Sequence, residues 1–343
     1  MADGYAVRAR FEQAFAAEMQ QKYAVAVHSG TIGLFLALRA CGVGPGDEVI
    51  TVGNSDISTT AAISQCGATP VLCDILDTDF TIDPSLVERL ITPRTRAILP
   101  VDLYGHPADV AALRPIADAH GLKIVEDAAL ATGAYDYGKP LGTFADVTIF
   151  SFAPLKPLGS VSNGAAVTTN NDAIYEQLHI LSHYGAPSSL PGGNPAHQHY
   201  VGEGYNVPLD ALQAALLLVK LPHLRDWTEK RRLLVNRYDQ RLADLPVQQP
   251  RFRAESRPSI RAYTILVGKR DQLFRQLREA GIEAVIHYNP LAYRQPVYNG
   301  RLPGSDNLPV TDAVGAQVIG LPVAPDLTFE DVDFTVDALT RLL

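Results

Sequence analysis

Cysteine is scarce: the 343-residue chain has three, Cys41, Cys66 and Cys73. Their spacing suits no metal site, and buried thiols are the simpler reading. An odd count, with no apolar leader in Met1 to Arg10, points to the reducing cytoplasm. Long apolar runs are missing as well. None approaches the roughly 20 residues that a membrane helix needs, so no membrane partner is expected. Positive charge is also in short supply: 29 Lys and Arg against 37 Asp and Glu give a formal net charge of −8. The basic residues are scattered, so nucleic acid is not expected as a partner either. A small anion in a local pocket stays open. The chain has no internal repeat, no GxGxxG and no Walker motif.

What is there is globular. Hydrophobic residues make up 47% of the chain and its length suggests two lobes. Val- and Ile-rich runs of strand length occur at 23–27, 48–52, 70–73, 97–101, 122–126 and 147–152. Helix-like stretches such as 31–40 and 107–120 separate them. This alternation predicts an α/β fold with a mostly parallel central sheet covered by helices. A Gly- and Pro-rich stretch at 184–206 has no period and is read as a functional loop. It leads into a helix with Leu209, Leu212, Leu216 and Val219 on one face. After Pro222 a second helix carries Leu224, Trp227, Leu234, Tyr238 and Leu242. Residues 246–258 read as a linker. Beyond it, strands at 263–267 and 283–287 flank a helix at 271–280. A final helix, opened by Thr328 and Asp331, buries Val332, Val336 and Leu339. The expected division is a large domain, 1–245, and a small C-terminal α/β domain, 246–343.

Three features can carry chemistry. Asp127 follows the apolar run 122–126, at the strand end where open α/β sheets receive ligands. A turn or capping carboxylate is the plainer alternative. Lys156 lies between Pro154 and Pro157, which oppose regular helix, so it sits on a constrained turn at the same sheet edge. Burial would lower its pKa and free its amine as a nucleophile. A snorkelling surface lysine is the alternative. His28-Ser29-Gly30-Thr31, between a strand and an apolar helix, offers free amides to a phosphate, or simply an N-cap. His197 and His199 have no third ligand nearby, so no metal site is expected.

Taken in order, these segments resemble the DegT/DnrJ/EryC1/StrS aminotransferases. The resemblance runs through Val27-His28-Ser29-Gly30-Thr31, Gly44-Pro45-Gly46-Asp47-Glu48, Leu103-Tyr104-Gly105-His106-Pro107 and Glu126-Asp127-Ala128-Ala129. It continues through the lysine segment, Gly204-Tyr205-Asn206, Leu212-Gln213-Ala214-Ala215 and Ile286-His287-Tyr288. It implies the aspartate aminotransferase-like fold of pyridoxal phosphate (PLP)-dependent transferases. It also implies a homodimer with shared active sites, and amino transfer from an amino acid such as glutamate or glutamine. The implied acceptor is a nucleotide-linked keto-sugar or a related keto-cyclitol. Lys156 is the implied Schiff-base lysine, and Asp127 the partner of the pyridine nitrogen. Ser151, Gly30 and Thr31 are implied phosphate ligands, joined by Asn206 of the neighbouring subunit. His287 and Tyr288 are candidates for substrate contact, as is His199 from the loop.

Two positions depart from the family pattern. Asp56 stands where an aromatic residue usually stacks on the ring, and it equally suits a helix cap. Leu130 stands where a Gln usually bonds the phenolic oxygen, and Leu has no donor. These departures keep two alternatives in view: a PLP-dependent lyase or sugar dehydratase, and a non-catalytic PLP-binding homologue. Retention of the lysine weighs against the first.

Overall fold

The computed structural model describes residues 4–189 and 199–343. The first helices are α1 (Gly4–Glu18), α2 (Gly30–Ala40), α3 (Ile57–Gln65), the single turn α4 (Pro84–Val87), α5 (Val110–His120) and α6 (Asp172–Ser182). They alternate with β1 (Tyr23–Val27), β2 (Glu48–Val52), β3 (Thr69–Cys73), β4 (Thr95–Ile98) and β5 (Lys123–Asp127). A short hairpin, β6 (Tyr135–Asp136) and β7 (Lys139–Pro140), then precedes β8 (Val147–Ser151) and β9 (Ala165–Thr169). All but the hairpin join one seven-stranded sheet in the order β1-β9-β8-β5-β4-β2-β3.

The pairs β3/β2, β2/β4, β4/β5 and β5/β8 are parallel, while β9 runs antiparallel to both β8 and β1. Thus β1, β2, β5 and β8 all end at one edge. Their Val and Ile side chains are buried on both faces, as expected of a sheet with helices on each side. The sequence reading missed β9, whose Ala and Thr content dilutes the β-branched apolar signal. It also ended the fifth strand early. Asp127 is the last residue of β5, and its backbone pairs with that of Val101.

Two helices follow, α7 (Ala211–Lys220) and α8 (Leu224–Leu242). In α7 the expected face is reversed. Gln213, Ala214 and Leu217 are buried, with α1 packed alongside, while Leu212 and Val219 are 76% and 70% exposed. Leu216 is exposed too, and Leu209 is buried but precedes the helix. Helix α8 matches its predicted stripe, with Trp227 only partly buried. Its first residue, Leu224, packs in the apolar core that includes Phe11, Phe15 and Phe152. Leu234, Val235, Tyr238 and Leu242 pack in a separate core with the C-terminal residues.

That second core is built from β11 (Tyr263–Leu266), α9 (Arg270–Glu279) and, after α10 (Pro309–Gln317), β12 (Val318–Leu321) and α11 (Phe329–Leu342). Before these, β10 (Ser256–Arg257) extends the hairpin sheet from within the expected linker. The strand expected at 283–287 does not form: only Val285 pairs, as an isolated bridge to Gly320. Antiparallel β12 is the partner of β11 instead. A Cβ on Gly320 would lie 2.9 Å from Cγ2 of Val285, so glycine lets this crossing approach closely. Helix α11 opens with the expected capping box of Thr328 and Asp331. No helix among the described residues is long and apolar enough to cross a membrane.

Candidate active site

The parallel strands bring their last residues to a common edge, and the candidate residues lie there. Asp127 ends β5, and Ser151 ends its neighbour β8. Five residues on, Lys156 sits on a turn between the two prolines, with its N–H bonded to the carbonyl of Ala153 at 2.9 Å. The sheet edge and the turn therefore converge as expected. Lys156 and Asp127 are close enough for each charge to bear on the other.

Asp127 is only 4% exposed. Its Oδ2 accepts a 3.0 Å hydrogen bond from Oγ1 of Thr59, and Oδ1 accepts one of 3.2 Å from the Ala129 N–H. Burial raises its pKa, while the two hydrogen bonds and the Lys156 charge oppose the rise. For Lys156, burial lowers the pKa; Asp127 and Asp56 oppose that, and Arg261 adds to it. A buried amine with a depressed pKa spends more time unprotonated, the state a nucleophile requires.

Thr59 was not singled out from sequence. It is fully buried in the first turn of α3, and its hydroxyl is 2.7 Å from that of Ser55. Asp56 starts the same helix. As its N-cap, Oδ1 accepts from the Ser58 N–H at 2.8 Å. The capping reading is thus correct. The carboxylate also faces the site, because its charge bears on Lys156, Asp127, His287 and Tyr288.

On the other flank, Ser29 caps α2 by accepting from the Ile32 N–H at 3.4 Å. The first amides of such a helix have no intrahelical acceptor, so those of Gly30 and Thr31 remain for a ligand. A Cβ built on Gly30 would lie 3.4 Å from both Cβ and Oγ of Ser151. Glycine here keeps open the narrow gap between α2 and the end of β8. Asn206 is exposed, in a bridge with His183, and the carbonyl of the next residue accepts from the His28 N–H at 3.0 Å. Leu130 is buried in the large apolar core just after β5, with no polar group to offer.

His287 and Tyr288 follow the Val285 bridge. The carbonyl of His287 accepts a 2.6 Å hydrogen bond from Tyr104 Oη. Burial, then the charges of Arg261 and Lys156, lower the His287 pKa to about 4, so its ring is neutral at pH 7. Burial followed by Asp56 and Asp127 raises that of Tyr288, keeping its hydroxyl protonated. Arg261, also missed from sequence, reaches this cluster because its N–H is bonded to the Tyr104 carbonyl at 2.9 Å. His199 is exposed, and His197 lies outside the described residues. Among the described residues no group of three His, Cys, Asp or Glu could hold a metal ion.

Comparison with known proteins gives this edge a family. The model of the DegT/DnrJ/EryC1/StrS aminotransferase family matches residues 2–340. The chain is 42% identical to the erythromycin biosynthesis sensory transduction protein EryC1 of Saccharopolyspora erythraea, over 96% of this chain and 88% of that one. It is 41% identical to the dTDP-3-amino-3,4,6-trideoxy-alpha-D-glucose transaminase of Streptomyces venezuelae, over 96% and 85%. The solved structure of S. venezuelae DesV with a ketimine intermediate superposes with a TM-score of 0.92 at 40% identity, covering 98% of this chain and 89% of that one. NtdA of Bacillus subtilis with bound cofactor PMP gives 0.89 at 30%, covering 98% and 77%. The chain belongs to the DegT/DnrJ/EryC1/StrS aminotransferase family and is a PLP-dependent enzyme.

Proposed function

We propose that this enzyme moves an amino group from an amino acid, glutamate or glutamine, to a nucleotide-linked keto-sugar or a related keto-cyclitol. The observation that carries the reading is the meeting of a half-buried lysine, on the turn after β8, with a buried carboxylate at the end of the adjacent strand β5. The name of the S. venezuelae transaminase, 41% identical, supports the sugar as acceptor.

The residues present fit PLP. Asp127 is a buried carboxylate with two donors among the described residues and suits a protonated ring nitrogen. Gly30, Thr31 and Ser151 frame a narrow cup with free amides and a hydroxyl, the chemistry a phosphate needs. Bound PLP supplies an electron sink for the bond broken at the donor's α-carbon. Lys156 would hold the cofactor covalently at rest; once released, its Nζ would take the proton from the donor α-carbon and deliver it to the cofactor carbon that keeps the amino group. Asp127 would keep the ring nitrogen protonated, and Thr59 and Ala129 hold Asp127. Neutral His287 and protonated Tyr288 line the substrate side and exclude water. Leu130 gives the site an apolar wall where the family resemblance implies a hydrogen-bond partner. Asp56 adds negative charge beside the lysine while it caps α3.

A homodimer completes the reading. The exposed stripe Leu212, Leu216 and Val219, with exposed Leu155 and Val161, is an apolar surface of the kind that a second copy covers. Exposed Asn206 would then serve the neighbouring phosphate cup. Two domains, 1–245 and 246–343, are supported by the C-terminal core, with α8 shared between them and residues 291–308 packed against Leu72 of the first. Three unpaired cysteines suit the cytoplasm.

The absorption spectrum tests the reading. The purified enzyme should carry a visible band from lysine-bound PLP, which glutamate or glutamine converts to the amine form. Lys156→Ala should lack the band. A band that no amino donor moves would contradict amino transfer.

A further inference from the structure

A cavity of about 990 Å³ opens between the Lys156 turn, α8 and the C-terminal core. Of the residues assigned to the cofactor only Lys156 borders it; Asp127, Ser151 and Thr59 do not. Its walls carry Lys220, Arg231, Arg261 and Arg278 beside Trp227 and Phe334.

The charges in this wall are unbalanced. Several arginines elsewhere pair with carboxylates: Arg225 with Glu18, Arg237 with Asp333, Arg270 with Asp271. Lys220, Arg231 and Arg261 form no such pair among the described residues. Arg231 is only 7% exposed. Nη2 donates to the Pro157 carbonyl at 3.3 Å, and Nη1 is buried with no hydrogen-bond partner among the described residues. Lys220 donates to the Gly159 carbonyl. The cations also oppose one another. Burial, then the charge of Arg261, lowers the Arg231 pKa to about 10, with Asp326 opposing; burial, then the charge of Arg231, lowers that of Lys220. The cavity's carboxylates are Glu283, Asp326 and Asp331, all exposed, and Asp331 is engaged in capping α11. Asp326 alone among them bears on Arg231.

A buried guanidinium without a countercharge is costly, and a planar donor fork matches an oxyanion. We propose that this cavity, bordered by Lys156 but not by Asp127, binds a phosphate-type oxyanion held by Arg231, Arg261 and Lys220. Free phosphate and the diphosphate of a nucleotide share the required chemistry. The site does not depend on the amino-transfer reading.

The test uses enzyme fully loaded with PLP, so that the cofactor's own phosphate already fills its cup. Inorganic phosphate, inorganic pyrophosphate and uridine diphosphate are titrated by calorimetry at constant ionic strength, into the parent protein and into Arg231→Met and Arg261→Met. Folding of each variant is verified by circular dichroism. Saturable binding that weakens about tenfold or more in each folded variant is expected, from loss of one charge-assisted hydrogen bond. Binding of the inorganic probes identifies free phosphate as the ligand, and binding of uridine diphosphate alone identifies a nucleotide. Absence of saturable heat with all three probes, or equal affinity in parent and folded variants, overturns the proposal. Should Arg231→Met fail to fold, Arg261→Met and Lys220→Met decide it by the same criterion.

Discussion

Replacing Thr59 by Val removes one hydroxyl while keeping the side chain's branched shape, in a residue with no exposed surface. What is lost is the 3.0 Å donor to Oδ2 of Asp127 and the 2.7 Å contact with Ser55. A hydrogen bond to a charged group contributes about 1.5–3 kcal/mol, so the carboxylate's hold on the ring nitrogen should weaken by about tenfold to a hundredfold. The direction follows from the carboxylate's surroundings: the Thr59 bond lowers the Asp127 pKa against burial, so its loss moves the pKa further up. More protonated Asp127 means a less reliably protonated ring and a slower donor half-reaction. The rate at which glutamate bleaches the visible band, followed by stopped flow across pH, reads this directly, and dialysis reads cofactor loss. The falling acid limb of the rate profile should move to higher pH, and Thr59→Ser should restore most of the rate. If Thr59→Val leaves rate, profile and cofactor retention unchanged, the role assigned to this hydroxyl is wrong.

Glu12 offers a stability test. Burial, opposed by the Ala26 N–H and Arg8, raises its pKa from 4.5 to about 7. The folded protein therefore keeps a proton that the unfolded chain has lost, and stability should fall by up to about 3 kcal/mol as pH rises through that window. Urea titrations of Glu12→Gln at pH 5 and pH 8 should show this decline removed; an unchanged decline would assign it elsewhere. Gly105→Ala should destabilise by about 3 kcal/mol in the same assay, because φ is +96° and a Cβ would lie 2.0 Å from the Ser259 carbonyl oxygen. A loss below about 0.5 kcal/mol would mean the two segments part easily. Changing Leu212, Leu216 and Val219 together to Glu should turn a dimer into monomers in sedimentation velocity and speed cofactor release. A variant that stays dimeric would move the interface elsewhere.

Strand-end chemistry was legible because it is local. A β-branched run followed by Asp127, and another followed by Lys156 between two prolines, announce their position in a parallel sheet without tertiary knowledge. Thr59 and Arg261 were not legible. Thr59 acts on a residue 68 positions away, and one hydroxyl on an ordinary helix carries no local mark. Arg261 enters the site only because its backbone is tied to Tyr104. Helix α7 shows a different limit. Periodicity finds an apolar face, yet it does not say whether that face meets the chain's own core or remains outside it. Leu212, Leu216 and Val219 form a real stripe, pointed outward. At 283–287 the pattern favoured a strand, but β11 had already found its partner in β12.

Helix α8 ends in one core and begins in another. Its 19 residues form a rod of ~28 Å at 1.5 Å per residue, and Arg231 sits part-way along it, bonded to Pro157. A rod of that kind does not bend readily under small loads. A tilt of α8 would act first on that hydrogen bond, one residue from Lys156.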